Sequence, residues 1–464
     1  MKPHLSLLTL CLLLGACGST AQRPDSGIQP PSSWQSPHTQ NATHRNLQWW
    51  TQFGSPELDR LIEQARVGSY DLAAAIARVR QAQADTVIAG GSLLPEVKAG
   101  LNANRQKLLR GSGYSQLDAD SSNKAVDYFD ANLSATYEID FWGGQRASRD
   151  SAQFGLQASE FDQATVELTL LSGVANSYAQ ALSLREQSRI AGLNLANAQN
   201  VLNLVQTRFD SGSATALELA QQKSLVAAQQ RQLPLVQQQA QDALISLAAL
   251  LGRPVQQLRL GAERFEQLSW PTIAAGVPSE LLTRRPDIAR AEAQLAAAQA
   301  DVTVARAAML PAVTLSAELG SGADRAADIL RNPFYNLTAG LLAPVFNNGR
   351  LSAERDKATA RQEELLENYR GAIINGFADV EKALNSIRGL DEQRQWQGEE
   401  LNQAQTAFNI AQSRYEAGAE DLLTVLETQR TLYAAQDLNV QLRLSRLQAS
   451  IALYKALGGG WQAL

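Results

Sequence analysis

The feature that most constrains this chain is an internal duplication of its 464 residues. Three short motifs of the first half recur, in the same order, in the second half. The offsets between the copies are 216, 205 and 206 residues, and three ordered matches at nearly one spacing are hard to obtain by chance. The pairs are Leu-Pro at 94–95 and 310–311, Gly-Gln-Arg at 144–146 and Gly-Arg at 349–350, and Arg-Phe-Asp-Ser-Gly at 208–212 and Arg-Tyr-Glu-Ala-Gly at 414–418. Each half is therefore predicted to fold as helix, strand, strand, long helix, tight turn and helix.

Four segments alternate between apolar and polar residues, which predicts strands with one face of each kind. They begin at Val97 and Val313 and cover 129–139 and 335–343. Strands of this kind fit a membrane barrel, with lipid on one side and a lumen on the other. A water-soluble sheet with one buried face shows the same period, so the alternation alone leaves both interpretations open.

The predicted long helices decide between these interpretations. Residues 147–209 contain no proline, and neither do residues 351–415. At about 1.5 Å per residue, the first stretch makes a helix of roughly 95 Å, longer than most globular domains need. Each long helix is followed by a glycine, Gly212 or Gly418, which can adopt the positive φ of a helix C-terminal cap. A shorter helix is then predicted over 215–251, interrupted by Pro234, and over 421–457.

The N-terminus is typical of a bacterial lipoprotein. Residues 1–16 combine Lys2 with a short apolar run, which predicts a signal peptide. Leu14-Gly15-Ala16-Cys17 resembles a lipobox, so Cys17 is the predicted lipidation site, carrying diacylglycerol and an N-acyl chain. The alternative is an ordinary signal peptide with an incidental cysteine. Residues 17–45, rich in Pro, Ser, Gln and Thr, are predicted to be a tether.

Four strands per chain are too few to close a membrane barrel, since the smallest known barrels have about eight. No later stretch has the roughly 20 apolar residues of a transmembrane helix. An open sheet edge in lipid would leave unpaired backbone groups that cost several kcal/mol each. Several copies are therefore predicted to share one barrel.

Several functional classes find no support in the sequence. The net charge of −5 offers no basic surface for nucleic acid. The three histidines, His4, His38 and His44, lie in the signal peptide and tether, which removes the commonest general base and metal ligand from the body. There is no Gly-x-Ser-x-Gly motif and no phosphate-binding loop. We therefore expect no enzyme activity, no bound metal and no cofactor beyond the lipid on Cys17.

Several segments resemble the outer-membrane factor family, the TolC/OprM-like efflux ducts, over essentially the whole mature chain. The segments are Tyr137 to Gly143, Leu250 to Pro254, Val277 to Ile288 and Tyr454 to Trp461. The resemblance implies a homotrimer in the Gram-negative outer membrane, whose four strands per chain form a twelve-stranded β-barrel continued by a long periplasmic α-helical barrel. It also implies two partners, a periplasmic adaptor and an inner-membrane transporter of the resistance-nodulation-division type.

The resemblance also places the functional residues. Leu423, Glu427 and Arg430 match the family's constricting leucine, acidic residue and arginine, and spacings of four and three put them on one helix face. Thr424 and Glu427 occupy positions where some members carry two aspartates. A solvated Glu427–Arg430 pair is the structural alternative. By analogy, adaptor docking is assigned to the two turns, at Arg208 and Gly212 and at Arg414 and Gly418.

The predicted function is an outer-membrane exit duct of a tripartite efflux pump that passes drugs or other small amphiphilic solutes. The alternative is the same duct serving type I protein secretion; a passive porin or a periplasmic coiled-coil scaffold fits the pattern less well. The predicted domains are a signal peptide (1–16), a lipidated tether (17–45), a first repeat (46–251), an equatorial connector (252–285), a second repeat (286–457) and a C-terminal tail (458–464).

Overall fold

The computed structural model describes residues 25–36, 48–107, 126–271 and 273–461. The predicted signal peptide, the lipidation site Cys17, most of the tether and the last three residues of the tail lie outside these ranges. The first half contains α1 (Pro56–Gly68), α2 (Tyr70–Gly91), β1 (Glu96–Gln106), β2 (Val126–Ile139), α3 (Gly144–Asp210) and α4 (Ala216–Leu250). The connector contains α5 (Leu281–Arg284), and the second half contains α6 (Pro286–Ala307), β3 (Ala312–Ala323), β4 (Pro333–Leu342), α7 (Arg350–Glu416) and α8 (Leu422–Ala456).

The element lengths confirm the duplication. Helices α2 and α6 have 22 residues each, α3 and α7 have 67 each, and α4 and α8 have 35 each. Between the halves, the predicted connector contains the short helix α5 and 3-10 turns at Val255–Gln257, Phe265–Gln267 and Pro278–Glu280. The remaining 3-10 turns described are Trp49–Phe53 and Ala326–Asp328.

The four strands form one antiparallel sheet in the order β1-β2-β3-β4. The register places apolar residues opposite each other, as in Leu101↔Ala131, Leu133↔Leu319 and Leu319↔Tyr335. Polar residues share the other face, where the Asn132 amide donates to Glu318 Oε1 at 3.2 Å. Leucines on the apolar face are exposed in the single chain. Among the described helices, none is both long and apolar enough to cross a membrane.

The first compact unit contains this sheet and the helical segments next to it, within residues 80–158 and 291–369. The strands are joined firmly to their helices. Asp140, directly after β2, accepts hydrogen bonds from the backbone N–H groups of Gln145 and Arg146, both at 3.0 Å, and so caps α3. The indole of Trp142 donates to the carbonyl of Pro311 at 2.7 Å, which ties this junction to the start of β3.

The second compact unit contains residues 28–79, 159–290 and 370–464. Its largest apolar cluster includes Trp49, Tyr178, Leu182, Leu247 and Leu447, all nearly inaccessible to water. Residues of α1, α3, α4, α8 and the connector meet in this cluster, so burial of their apolar area fixes the connector against the helices.

The predicted interruption of the helix at Pro234 is wrong, since α4 runs without a break from Ala216 to Leu250. Proline removes one backbone hydrogen bond from a helix and crowds the preceding turn. Pro234 lies on the exposed face of α4, where water can satisfy the carbonyl that loses its partner. Val236, two residues on, is buried and holds the helix in place.

Part of the predicted tether is packed within the second unit. Trp34 is only 5% exposed, and its indole N–H donates to the carbonyl of Gly276 at 2.8 Å. Its ring packs edge to face against the ring of Phe377, with 6.3 Å between the ring centres. The carboxylate of Glu381 accepts hydrogen bonds from the next two backbone N–H groups, those of Gln35 and Ser36, at 2.5 and 3.2 Å. We call this arrangement the Trp34 latch.

Candidate functional site

The candidate site lies at the two turns that follow the long helices. Gly212 and Gly418 both have a φ of +77°, a conformation that other residues adopt only with strain. The backbone N–H of the residue after each glycine donates a hydrogen bond to the carbonyl of the arginine that precedes the turn. Ser213 donates to Arg208 at 2.7 Å, and Ala419 donates to Arg414 at 2.8 Å. The predicted glycine turns are confirmed, and the two copies are built alike.

The helices that leave the turns begin with different caps. Thr215 and Glu218 form a capping box at the start of α4. At the start of α8, Asp421 accepts hydrogen bonds from the backbone N–H and the hydroxyl of Thr424, both at 2.9 Å. These bonds lower the pKa of Asp421, the backbone N–H contributing most. Thr424, a predicted gate residue, is half-buried, and its hydroxyl lies within hydrogen-bond distance of both Asp421 and Glu420 Oε1, the latter at 3.3 Å.

The other three predicted gate residues share one exposed face of α8. Leu423 is 54% exposed, and Glu427 and Arg430 are also exposed. In the part of the chain that the structure describes, the Glu427 carboxylate and the Arg430 guanidinium form no ion pair with each other. Both side chains are exposed, and the alternative of a solvated pair stays open.

The opposite face of α8 is buried and positions the exposed one. Leu422, Val425 and Leu426 pack into an apolar cluster with Val205 of α3 and Phe408 of α7. Because residues three and four apart share a helix face, burying this row directs Leu423, Glu427 and Arg430 away from the cluster.

A buried chain of hydrogen bonds holds the next turn of α8. The Gln429 amide donates to the Tyr433 hydroxyl at 2.7 Å, which in turn donates to the carbonyl of Asn194 in α3 at 2.8 Å. Burial raises the pKa of Tyr433 to about 12, so the phenol keeps its proton at neutral pH. The chain fixes the rotation of α8 relative to α3.

The two predicted docking arginines have different partners. The guanidinium carbon of Arg208 lies 4.3 Å from the centre of the Tyr415 ring, at the end of α7. Arg414 instead pairs with Glu420 within its own turn, Nε to Oε2 at 3.2 Å. A β-carbon at Gly418 would lie 3.5 Å from Nη2 of Arg208, so the first repeat's arginine reaches the second repeat's turn.

Two residues of this region were not identified from the sequence. Leu217 lies five residues after Gly212, as Leu423 does after Gly418, and it is 67% exposed. The 206-residue offset between the turns was the signal that could have found it. Tyr415 gave no signal, because nothing in the sequence shows that Arg208 reaches its ring.

Nothing in the described ranges suggests metal chemistry at this site. Within residues 25–36, 48–107, 126–271 and 273–461, no group of three or more His, Cys, Asp or Glu side chains could hold a metal ion. The arrangement instead offers one exposed apolar side chain, one acid and one base on a helix end.

A four-stranded sheet with an exposed apolar face, duplicated 67-residue helices and paired glycine turns define an outer-membrane channel protein. The outer membrane efflux protein family model matches residues 61–253 and 277–459, once for each repeat. The chain belongs to this family.

Similar proteins agree with this assignment. The pyoverdine export outer membrane protein OpmQ of Pseudomonas aeruginosa is 66% identical over 461 residues, covering 99% of this chain and 97% of the relative. The protein of the same name from Pseudomonas putida is 63% identical, covering 99% and 98%. The solved structure of the outer-membrane channel OprN is 26% identical with a TM-score of 0.87, covering 96% of this chain and all of that one.

These comparisons confirm three predictions. The fold class, a membrane β-barrel joined to a long α-helical barrel with an internal duplication, is that of the solved channels. The outer-membrane location and the role as exit duct of an efflux pump follow from the relatives.

Proposed function

We propose that this chain is the homotrimeric exit duct of a tripartite pump that exports pyoverdine across the outer membrane. The assignment of pyoverdine as the substrate rests on two relatives at 66% and 63% identity, both named for pyoverdine export. Identity at that level extends over 99% of the chain, so it includes all the strands and helices of both repeats. Drugs or other small amphiphilic solutes remain further candidates for the same duct.

The open edges of the sheet support the trimer. Strands β1 and β4 each have a neighbour on one side only within the sheet. Their free backbone groups must be paired if the sheet lies in lipid, since each unpaired group there costs several kcal/mol. Joining β4 of one copy to β1 of the next satisfies both edges, and three copies give twelve strands.

The exposed face of α8 supports a gate in that trimer. Threefold symmetry turns Leu423 into an apolar ring and Glu427 into a ring of carboxylates. Converging carboxylates attract cations and repel anions. In this proposal, the exposed Arg430 pairs with an acid of a neighbouring copy. Thr424 contributes to the gate indirectly, because its hydrogen bonds to Asp421 fix the residue at which α8 starts.

The two turns are the proposed docking sites for the periplasmic adaptor, which links the duct to an inner-membrane transporter of the resistance-nodulation-division type. A β-carbon placed on Gly212 would meet no described heavy atom within 4 Å beyond its chain neighbours, so another backbone can approach closely. Arg414 is exposed beside Gly418 and can exchange its bond to Glu420 for one to a partner.

The proposal also covers the lipid anchor and the absence of catalysis. Cys17 carries the acyl chains that anchor the mature chain to outer-membrane lipid, as the lipobox sequence predicts. The duct performs no catalysis, and its opening is driven by its partners.

The test is complementation in a Pseudomonas strain that lacks its own OpmQ. We expect this chain to restore pyoverdine to the medium and to run as a trimer in unheated outer-membrane samples. If trimers form but pyoverdine stays inside the cell, the proposed substrate is wrong. If the mature chain is a stable water-soluble monomer without bilayer activity, the duct itself is wrong.

A further inference from the structure

Three arginines surround the indole of Trp270, which lies in the connector. The guanidinium carbon of Arg394, on α7, is 4.0 Å from the ring centre. Those of Arg443 and Arg446, on α8, are at 4.7 and 5.9 Å. An aromatic face attracts a cation, but three cations around one ring also repel each other. We call these four residues the Trp270 cluster.

The carboxylates near the cluster do not balance its charge. Asp391 pairs closely with one arginine, its Oδ1 lying 2.7 Å from Nε of Arg446. The same oxygen is 3.7 Å from Nη1 of Arg394, beyond hydrogen-bond range. The negative charge of the exposed Glu266 attracts the guanidinium of Arg443 without a direct contact, and it also attracts that of Arg189. Three guanidinium groups therefore face one directly paired carboxylate.

Two of the arginines keep unused donors. Nη2 of Arg443 donates to the carbonyls of Glu266 and Leu268 at 2.6 and 2.8 Å, while its buried Nε has no hydrogen-bond partner in the described structure. Arg394 makes no hydrogen bond to any described residue, and its side chain is partly exposed. Burial and the neighbouring positive charge lower the pKa of both groups. The cluster thus combines excess positive charge, free donors and access from solvent.

We propose that the Trp270 cluster is a binding site for a small oxyanion, a phosphate or carboxylate group. Arg394 supplies the fork of donors that matches two oxygens of such a group. Arg443 adds a second positive charge, and the Trp270 ring holds the guanidinium groups of Arg394 and Arg443 in place. Arg446 is a positioning residue, since Asp391 and Ser450 already satisfy it at 2.7 and 2.5 Å.

A structural clamp is the competing explanation, because Arg443 does tie the connector to α8. A clamp accounts for the carbonyl bonds of Arg443 and for the Arg446–Asp391 pair. It accounts for Arg394 only through the Trp270 ring and an ion pair to Asp391 at 3.7 Å, and it leaves the guanidinium without a hydrogen bond to a described residue. The two explanations differ in one property: only the binding site predicts that the folded protein is stabilised by an oxyanion.

The experiment measures the thermal unfolding of the full-length protein in detergent as inorganic phosphate replaces sodium chloride at constant ionic strength. Citrate in a second series tests carboxylate against phosphate chemistry. The variant is Arg394→Gln, and the matched control is Arg388→Gln, an exposed arginine on the same helix that contacts Asn385. We expect at least one oxyanion to raise the unfolding temperature of the wild type and the control. The half-saturating concentration should rise about tenfold or more in Arg394→Gln.

An equal response of all three proteins, or no response of the wild type to either anion, would overturn the proposal. Should Arg394→Gln fail to fold, Arg394→Lys keeps the charge but removes the fork. A binding site then predicts weaker oxyanion stabilisation in the lysine variant, whereas unchanged stabilisation contradicts it. The pump's export activity enters none of these measurements, so the result is independent of the proposed transport function.

Discussion

The guanidinium of Arg208 lies over the ring of Tyr415, 4.3 Å from its centre, and so joins the end of α3 in the first repeat to the end of α7 in the second. The Tyr415 ring is almost fully buried, and its hydroxyl is buried without a partner among the described residues. The contact therefore depends on the aromatic face and not on the phenol oxygen.

The first prediction concerns this contact. Replacing Tyr415 by Leu removes the aromatic face, which contributes about 1 kcal/mol as the cation–π partner of the half-buried Arg208. We expect the amides of residues 208–219 to exchange hydrogen roughly fivefold faster. Tyr415→Phe is the matched control, since it keeps the ring and removes an unpaired hydroxyl, and its exchange should be unchanged. Equal acceleration in both variants would show that the hydroxyl matters and the stacking does not.

The second prediction concerns the gate. Leu423→Ala or Arg430→Ser should raise single-channel conductance in planar bilayers, because each removes part of the proposed constriction. Leu217→Ala is the control, an exposed leucine at the equivalent position of the first repeat. Unchanged conductance in both α8 variants, or an equal rise in the control, would remove the gate assignment.

The third prediction is a pH dependence at the start of α8. The pKa of Asp421 in the folded protein is below its ordinary value of 3.8, since the charged form accepts hydrogen bonds from Thr424. The cap is therefore fully present above pH 3.8 and is lost as the pH falls through the lowered pKa. We expect the Thr424 amide to lose protection from exchange, relative to its intrinsic rate, in that acidic range.

Two comparisons check the origin of this effect. Asp421→Asn keeps a capping oxygen that does not titrate, so its protection should not depend on this pKa. The Glu218 amide, capped by the hydroxyl of Thr215, is the internal reference at the other turn. A loss of protection in Asp421→Asn equal to that of the wild type would rule the cap out as the cause.

The fourth prediction concerns the Trp34 latch. Trp34→Ala should weaken docking of this segment by about 3–5 kcal/mol, the usual effect of removing a buried tryptophan. We expect limited proteolysis to cut within residues 25–36 much faster in this variant. Trp396→Ala, which removes a tryptophan that is 71% exposed, is the control and should be cut like the wild type. Equal resistance of all three proteins would mean that other contacts hold the segment.

The fifth prediction concerns the lipid anchor. Because the barrel itself holds such a duct in the membrane, Cys17→Ser behind a substitute signal peptide should keep part of the export activity. Export and trimer level are measured together. Complete loss of export at a normal trimer level would show that the acyl chains do more than anchor the chain.

The regular parts of the fold were predictable because each depends on local chemistry. Proline-free stretches predicted α3 and α7 to within three residues at each end, and alternation predicted the strands. The glycines marked both turns. The continuity of α4 through Pro234 was not predictable, since it depends on which face of the helix the proline occupies.

Much of the candidate site depends on contacts between distant parts of the chain. Spacing placed Leu423, Glu427 and Arg430 on one face correctly. The Arg208–Tyr415 contact joins residues 207 positions apart, and a single tryptophan such as Trp34 or Trp270 has no periodicity to reveal its partners. Such contacts are fixed by tertiary packing, which a pattern in one sequence does not record.

The Trp34 latch has a practical consequence for shortened forms of the protein. Removal of residues 1–24 leaves the docked tryptophan in place. A longer truncation that begins the protein near the start of α1 also removes Trp34. This exposes an apolar cluster that includes Leu281, Val380 and Leu453. A truncated protein of that kind should aggregate during purification, and the cause would lie in the missing tryptophan and not in the membrane-embedded strands.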